Sequence, residues 1–224
     1  RFLAESQVEA EPHFGTGTAP SIVAGRVAFC FGLEGAAATV DTACSSGLVA
    51  VAMACDAIKA GTLDSCLAGA ANIFFSDTLH KNLSAAGMLS ADSRCKTFDS
   101  SANGYVRSEA CSVFFLSSNR SGKANILGWA VNQDGRSGGL TVPNQNAQER
   151  LYELAIAKTK LEYSKIECFE AHGTGTSLGD PIEVHSIAKV FGQRNKGLIL
   201  SSGKTNFGHA EAAAGLLGLA KIIS

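Results

Sequence analysis

The sequence predicts an α/β protein with helices layered on mainly parallel sheet. Three observations carry that prediction. Short apolar runs of strand length alternate along the chain with longer, helix-like segments. Glycine is abundant, 24 of 224 residues, as many tight strand–helix turns require. Two histidine-bearing, glycine-rich stretches follow directly on predicted strands, where open α/β sheets place their chemistry. At 46% hydrophobic and 17% charged, the chain can bury a substantial core, as one large domain or two intimate halves.

The elements follow in order. Pro20 to Phe29 suits a helix with proline in its first turn. Ala36 to Val40 is small and apolar, a buried strand. Leu48 to Ile58 is apolar on nearly every side, a central, buried helix with Gly61 as its C-cap. Ser65 to Ala71 reads as a second buried strand, and Asp77 to Ala85 as a helix. Gly87 to Tyr105 is polar and irregular, long enough to be a functional loop. Ala110 to Leu116 and Ala124 to Val131 are strand-like. After a turn-rich loop, Gly135 to Asn146, the spacing of Leu151, Leu154, Ala155 and the Lys158 stem predicts a helix over 147–158. Ile166 to Glu170 is a strand, Pro181 to Phe191 a helix opened by Asp180, Leu198 to Ser202 a strand, and Ala210 to Ile223 a final Ala-rich helix.

Composition excludes several classes. A net charge of -1 gives no electrostatic footprint for nucleic acid. No apolar run approaches the ~20 residues of a membrane span. The seven cysteines are an odd number without a CxxC, and no signal peptide is visible, so a reduced, cytoplasmic protein is expected. Arg1 is not a start methionine and the last residues read as mid-helix, so an internal fragment of a longer chain is expected. Organelle targeting stays open on that account.

The chemistry centres on Val40-Asp-Thr-Ala-Cys44-Ser-Ser-Gly-Leu-Val-Ala50. Cys44 falls where a strand turns into a helix, with Thr42, Ser45 and Ser46 as candidate caps. A thiol at a helix N-terminus meets unpaired N–H groups and the positive end of the dipole, which lowers its pKa. Two readings stand for it, a buried structural cysteine and a nucleophile. Glu170-Ala-His172-Gly-Thr-Gly-Thr176-Ser-Leu-Gly-Asp-Pro181 and Lys204-Thr-Asn-Phe-Gly-His209 each put a histidine just beyond a strand. One thiol with two imidazoles supplies a nucleophile and two groups that can donate to, or accept from, a reacting carbonyl or carboxylate.

Three decoys fall away. Gly173, Gly175 and Gly179 are spaced GxGxxxG, not as a dinucleotide fingerprint. Gly203-Lys204-Thr205 ends like a P-loop, but Leu198 stands where its first glycine belongs. No two Cys or His lie at metal-ligand spacing, so no metal is expected.

DTACSS at 41–46, EAHGTGTSLGDP at 170–181 and KTNFGH at 204–209 resemble the β-ketoacyl synthase domain of polyketide synthases and type I fatty acid synthases. GMLSADSRCKTFD at 87–99, NGYVRSEA at 103–110 and AVNQDGRSGGLTVPN at 130–144 fit the same family, the last with a polyketide flavour. The resemblance covers essentially the whole chain. It implies a thiolase-like fold, two similar α/β halves in an α-β-α-β-α layering, incomplete at both ends. The halves are expected at 1–118, with the nucleophile, and 119–224, with the histidines. It implies a decarboxylative Claisen condensation: Cys44 accepts an acyl chain, and a malonyl-type extender on an acyl carrier protein loses CO2 and attacks it. His172 and His209 match the two enolate-stabilising histidines, and Lys204 the lysine that orders them. Thr174 and Thr176 match residues that touch the phosphopantetheine arm. Plainer readings are a salt bridge for Lys204 and turn chemistry for the threonines. Asp180 and Glu170 read as structural, a helix cap and an anchoring carboxylate. No cofactor binds directly, since substrates ride on 4′-phosphopantetheine. Partners implied are the carrier protein, acyl and malonyl-type thioesters and a second copy in a homodimer, with no nucleic acid or membrane span.

The sequence also departs from the family. Ala36-Ala37 stands where relatives carry Pro-Ser, Gly47 where serine is usual, and Ala70 and Ala110 where glycine is common. The family's glycine- and phenylalanine-rich C-terminal loop is expected beyond Ser224 and early strands before Arg1, so the fragment alone is expected to fold poorly. A non-elongating relative or a structural dimerisation module of a megasynthase is the alternative. Cys44 speaks against the first, the intact Cys44, His172 and His209 would be superfluous in the second, and no cysteine follows Cys168 to serve a thiolase.

Overall fold

The computed structural model describes residues 12–119, 121–194 and 196–224. The chain divides into two compact units, Arg1–Asp41 and Thr42–Ser224.

The described part of the first unit holds α1 (Phe14–Thr18) and α2 (Ile22–Phe31). The expected helix at 20–29 is α2, begun two residues later. Pro20 forms the entry turn, its carbonyl accepting the Val23 N–H at 3.1 Å. Gly32 closes α2 at φ 62, in the left-handed region that glycine enters without steric cost. The strand expected at 36–40 does not form. A strand exists only where a neighbour takes up its N–H and C=O groups, and none does among the described residues. The Thr39 hydroxyl instead accepts the Ala24 N–H at 3.3 Å.

The second unit opens with α3 (Ser46–Lys59), then β1 (Ser65–Asn72), α4 (Thr78–Ala85) and β2 (Ala110–Ser117). The C-cap of α3 is Ala60, and Gly61, expected there, lies one residue beyond it at a left-handed φ of 72. α3 buries one face, Val51, Ala52, Ala54 and Cys55, while Leu48 and Met53 are about half exposed. The expectation of burial all round therefore fails: apolar residues ring the helix, but neighbours cover one side of it. β1 and β2 pair antiparallel, from Ser65↔Ser117 to Asn72↔Ala110, which corrects the mainly parallel sheet. Composition could not show this, because small apolar strands look alike in either direction. Ala68 on β1 joins Val51, Ala54, Cys55 and Leu216 in one core cluster, with Phe114, Leu116 and Trp129 packed against it.

The chain continues through α5 (Gln145–Thr159), β3 (Cys168–Glu170), α6 (Gly179–Phe191), β4 (Ile199–Ser201), α7 (Lys204–Phe207) and α8 (Ala214–Ile223). A 3₁₀ turn, Glu211–Ala213, leads into α8, so the single helix expected from Ala210 is broken at its start. The strand expected at 124–131 is absent. That run lies along α5 instead: a Cβ on Gly128 would fall 2.6 Å from the Ala155 carbonyl oxygen. β3 and β4 pair parallel, Cys168↔Ile199 to Glu170↔Ser201, as the alternation predicts. Behind them Ile156, Ala171, Ile187 and Phe191 form a second core cluster, with Tyr152 and Phe169 stacked edge-on 5.2 Å apart. The parallel pair brings the residues after β3 and those after β4 to the same strand end.

Candidate active site

Cys44 lies two residues before α3, in a turn held by its neighbours. Ser46 Oγ donates to the Ala43 carbonyl at 2.6 Å and accepts the Thr42 N–H at 2.9 Å. Ser45 Oγ donates to the Thr42 carbonyl at 2.8 Å. The serines thus brace the turn rather than cap α3, whose N-cap Ser45 makes no side-chain capping bond. Ala43 adopts φ 55, a conformation that costs an L residue energy and is held by surrounding contacts.

The loop after β3 carries His172. Its main-chain N–H donates to Glu183 Oε1 at 2.6 Å, and that of Gly173 to Oε2 at 2.8 Å. Gly173 sits at φ 46, where a Cβ would fall 2.5 Å from Thr97 and 2.7 Å from Ser202, so only glycine fits. Asp180 is not the cap expected of it: the N-cap of α6 is Leu178, and Asp180 lies inside the first turn. One oxygen accepts from Gly175 and Thr176, at 3.1 and 3.3 Å, and the other from Phe98 at 2.7 Å. Glu170 anchors β3 to β4 and α8, accepting from the Gly203 N–H, Ser201 Oγ and Lys221 Nζ.

After β4, Lys204 opens α7 and is buried. His209 is buried too, its main chain paired on both sides. Its N–H donates to the Val106 carbonyl at 2.7 Å, and its carbonyl accepts the Ser108 N–H at 2.9 Å. Its ring lies 5.0 Å from that of Tyr105 and 5.5 Å, edge-on, from that of His172.

These loops converge. One donor or acceptor atom each from Cys44, His172 and His209 lie within 4.8 Å of one another. The spacing-based expectation of no metal ligands overlooked this gathering, because the three residues come from three separate turns. Hydrogen bonding decides what the cluster is suited to. Glu211 N–H donates to His209 Nδ1 at 2.9 Å, so a neutral His209 carries its proton on Nε2. The ring then offers a donor, not the lone pair a metal would need.

Electrostatics point the same way. His172 keeps an accessible surface, yet protein atoms crowd around its ring. That enclosure, then the Lys204 cation and the His209 ring, hold its pKa down at about 3. Burial and Lys204 hold His209 at about 4. Both imidazoles are therefore neutral at physiological pH. Burial lowers the Lys204 pKa, with the Glu183 carboxylate the largest opposing influence. For Cys44 the expected lowering is reversed. Desolvation pushes the thiol up, and it outweighs the Lys204 cation and a hydrogen bond through the residue's own N–H. At rest Cys44 is a thiol, so a nucleophilic role would require its proton to leave.

Thr174 and Thr176 lie on the same loop, their hydroxyl oxygens 3.3 Å apart, with Thr174 buried. Thr176 Oγ1 accepts the Gly179 N–H at 3.1 Å, so turn chemistry is part of its work. Glu183 was not singled out from the sequence. The sequence offered only a carboxylate directly after Pro181–Ile182, close in the chain to a histidine loop rich in N–H groups that need acceptors.

A half-buried thiol with two neutral imidazoles is the equipment of a thiol-dependent acyl-transfer enzyme. The family profile for the β-ketoacyl synthase N-terminal domain matches residues 1–121, and that for the C-terminal domain matches 123–224. The chain belongs to the β-ketoacyl synthase family. It is 46% identical over 225 residues to a phenolphthiocerol/phthiocerol polyketide synthase of Mycobacterium tuberculosis, covering 96% of this chain and 10% of that protein. To erythronolide synthase EryA3 of Saccharopolyspora erythraea it is 41% identical, covering 98% of this chain and 7% of the other. It thus spans about a tenth or less of these relatives' length. The ketosynthase from module 6 of the bacillaene synthase of Bacillus subtilis superposes with a TM-score of 0.87 at 33% identity, over 93% of this chain and 39% of that one. The Streptomyces albus oxazolomycin ketosynthase domain OzmH KS7 gives 0.88 at 35%, over 92% and 37%. The fold is thiolase-like α/β. Among the described residues no helix is long and apolar enough to cross a membrane.

Proposed function

We propose that this chain performs the decarboxylative condensation of polyketide assembly, with Cys44, His172, His209 and Lys204 as its machinery. The observation that carries the reading is the convergence of Cys44, His172 and His209 atoms within 4.8 Å. In the first stage Cys44 sulfur attacks an acyl thioester on a 4′-phosphopantetheine arm. A new S–C bond forms, the arm leaves as its thiol, and the Cys44 proton passes to it. In the second stage a malonyl-type thioester on an acyl carrier protein loses CO2. The electron pair of the broken C–C bond moves onto the thioester oxygen as an enolate. Two neutral imidazole N–H groups are suited to that developing charge, and the buried Lys204 cation strengthens the field around it. The enolate carbon then attacks the Cys44 thioester carbonyl, and the Cys44 sulfur leaves.

Thr174 and Thr176 are proposed to meet the phosphopantetheine arm, with 1–118 and 119–224 as the two working halves of each protomer of a homodimer. The polyketide rather than fatty acid product follows from the names of the relatives. The odd number of cysteines, seven, suits a reducing compartment such as the cytoplasm.

The test is Cys44→Ala, which leaves the enolate donors in place. β-Ketoacyl product should fall by about 10⁴-fold or more, while CO2 release from the malonyl-carrier substrate persists. Product formation that survives Cys44→Ala would refute the assignment.

A further inference from the structure

Arg107 is a buried cation that the condensation chemistry leaves unused. Its side chain is 5% exposed, and Nε donates to Glu211 Oε1 at 2.9 Å. Its guanidinium carbon also lies 4.4 Å from the centre of the Phe74 ring, a second hold on its position. Glu211 is unusual in its backbone. It is a non-glycine residue at φ 45, left-handed geometry that an L side chain adopts only where its surroundings hold it. From that geometry its main-chain N–H reaches His209 Nδ1 at 2.9 Å. Arg107 and His209 also ride on paired segments, through the Val106 carbonyl and the Ser108 N–H.

We propose that Arg107 and Glu211 are a positioning pair for His209. Arg107 holds Glu211 in its left-handed conformation, and the Glu211 N–H fixes the His209 tautomer with Nε2 protonated. The inference rests on reading His209 as the donor to the enolate. A ring free to exchange tautomers would present a lone pair to the enolate part of the time, and that fraction of the protein would not react.

The test uses Arg107→Ala, Arg107→Lys and the double variant Arg107→Ala/Glu211→Gly. Two readouts run in parallel: steady-state decarboxylation, and 15N spectra of histidine-labelled protein, which distinguish the two tautomers. Arg107→Ala is expected to lower kcat about tenfold to a hundredfold, short of a full donor's loss, with KM nearly unchanged. Its His209 signal should move from Nε2–H toward a mixture. Arg107→Lys keeps the cation and should fall between it and the wild type. Glycine occupies positive φ without a brace, so the double variant should regain most of the lost kcat and a single Nε2–H signature. An Arg107→Ala protein with unchanged kcat and unchanged His209 signal overturns the proposal, as does a double variant no better than Arg107→Ala. A wild-type spectrum already showing Nδ1–H overturns the donor reading itself, and the proposal with it.

Discussion

His172 follows β3 by two residues and His209 follows β4 by way of α7, and the chain holds them by different means. The His172 loop is clasped by side chains from α6. Glu183 takes two consecutive N–H groups, and Asp180 takes those of Gly175, Thr176 and Phe98. The His209 segment is held by main chain, between Val106 and Ser108, with its ring pinned by the Glu211 N–H. One loop therefore depends on ionisable carboxylates in a buried setting, the other on backbone geometry. Equal chemistry at two strand ends does not imply equal vulnerability.

The largest effect that bears on this comparison is removal of either ring. His172→Ala and His209→Ala should each lower decarboxylation by about 10²–10³-fold, since each deletes one donor. CO2 release unchanged in both variants would break the pairing of roles. Next comes Glu183→Ala, which strikes only the carboxylate-held loop. It strands two N–H groups and removes the carboxylate that most offsets the lowering of the buried Lys204 pKa, so about 3 kcal/mol of stability should be lost in denaturant unfolding. Glu183→Ala is expected to lower the His172-dependent step while the His209 15N signal stays put. A shift of that signal would show that the two loops are not independent.

The pH dependence gives a smaller, shared effect. His172 at about 3 and His209 at about 4 lie below the ordinary 6.5 of imidazole. The unfolded chain takes up protons near 6.5 that the folded site refuses. The stability linked to the neutral rings is thus whole above about pH 6.5 and is lost as pH falls through 4 and then 3. Decarboxylation should hold level from pH 7 to about 5, with its acid limb near 4. An acid limb at 6 to 6.5 would mean that the rings are not enclosed.

Much of this was legible in the sequence because local chemistry carried it. α2, α3, β1, α5, α6 and β4 fall within a few residues of their expected places, where caps, glycines and apolar periods mark them. The strands at 36–40 and 124–131 were not legible, because pairing depends on a neighbour that the run itself does not encode. The antiparallel β1–β2 pair escaped for the same reason. At the candidate site the Cys44, His172 and His209 loops were visible, since glycine-rich polar turns after strands stand out. Glu183 was hidden eleven residues from the N–H of His172, on a helix whose polar residues look like a solvated face. The Cys44 pKa went the wrong way because a helix terminus is read from sequence while burial is not.

The central claim is that Cys44 is the thiol that the two histidines serve. It is tested most directly by incubating the protein with a labelled acyl thioester and mapping the label by peptide mass spectrometry. The account predicts label on Cys44 alone among the seven cysteines. Label on Cys55 or Cys95, with Cys44 untouched, would contradict it.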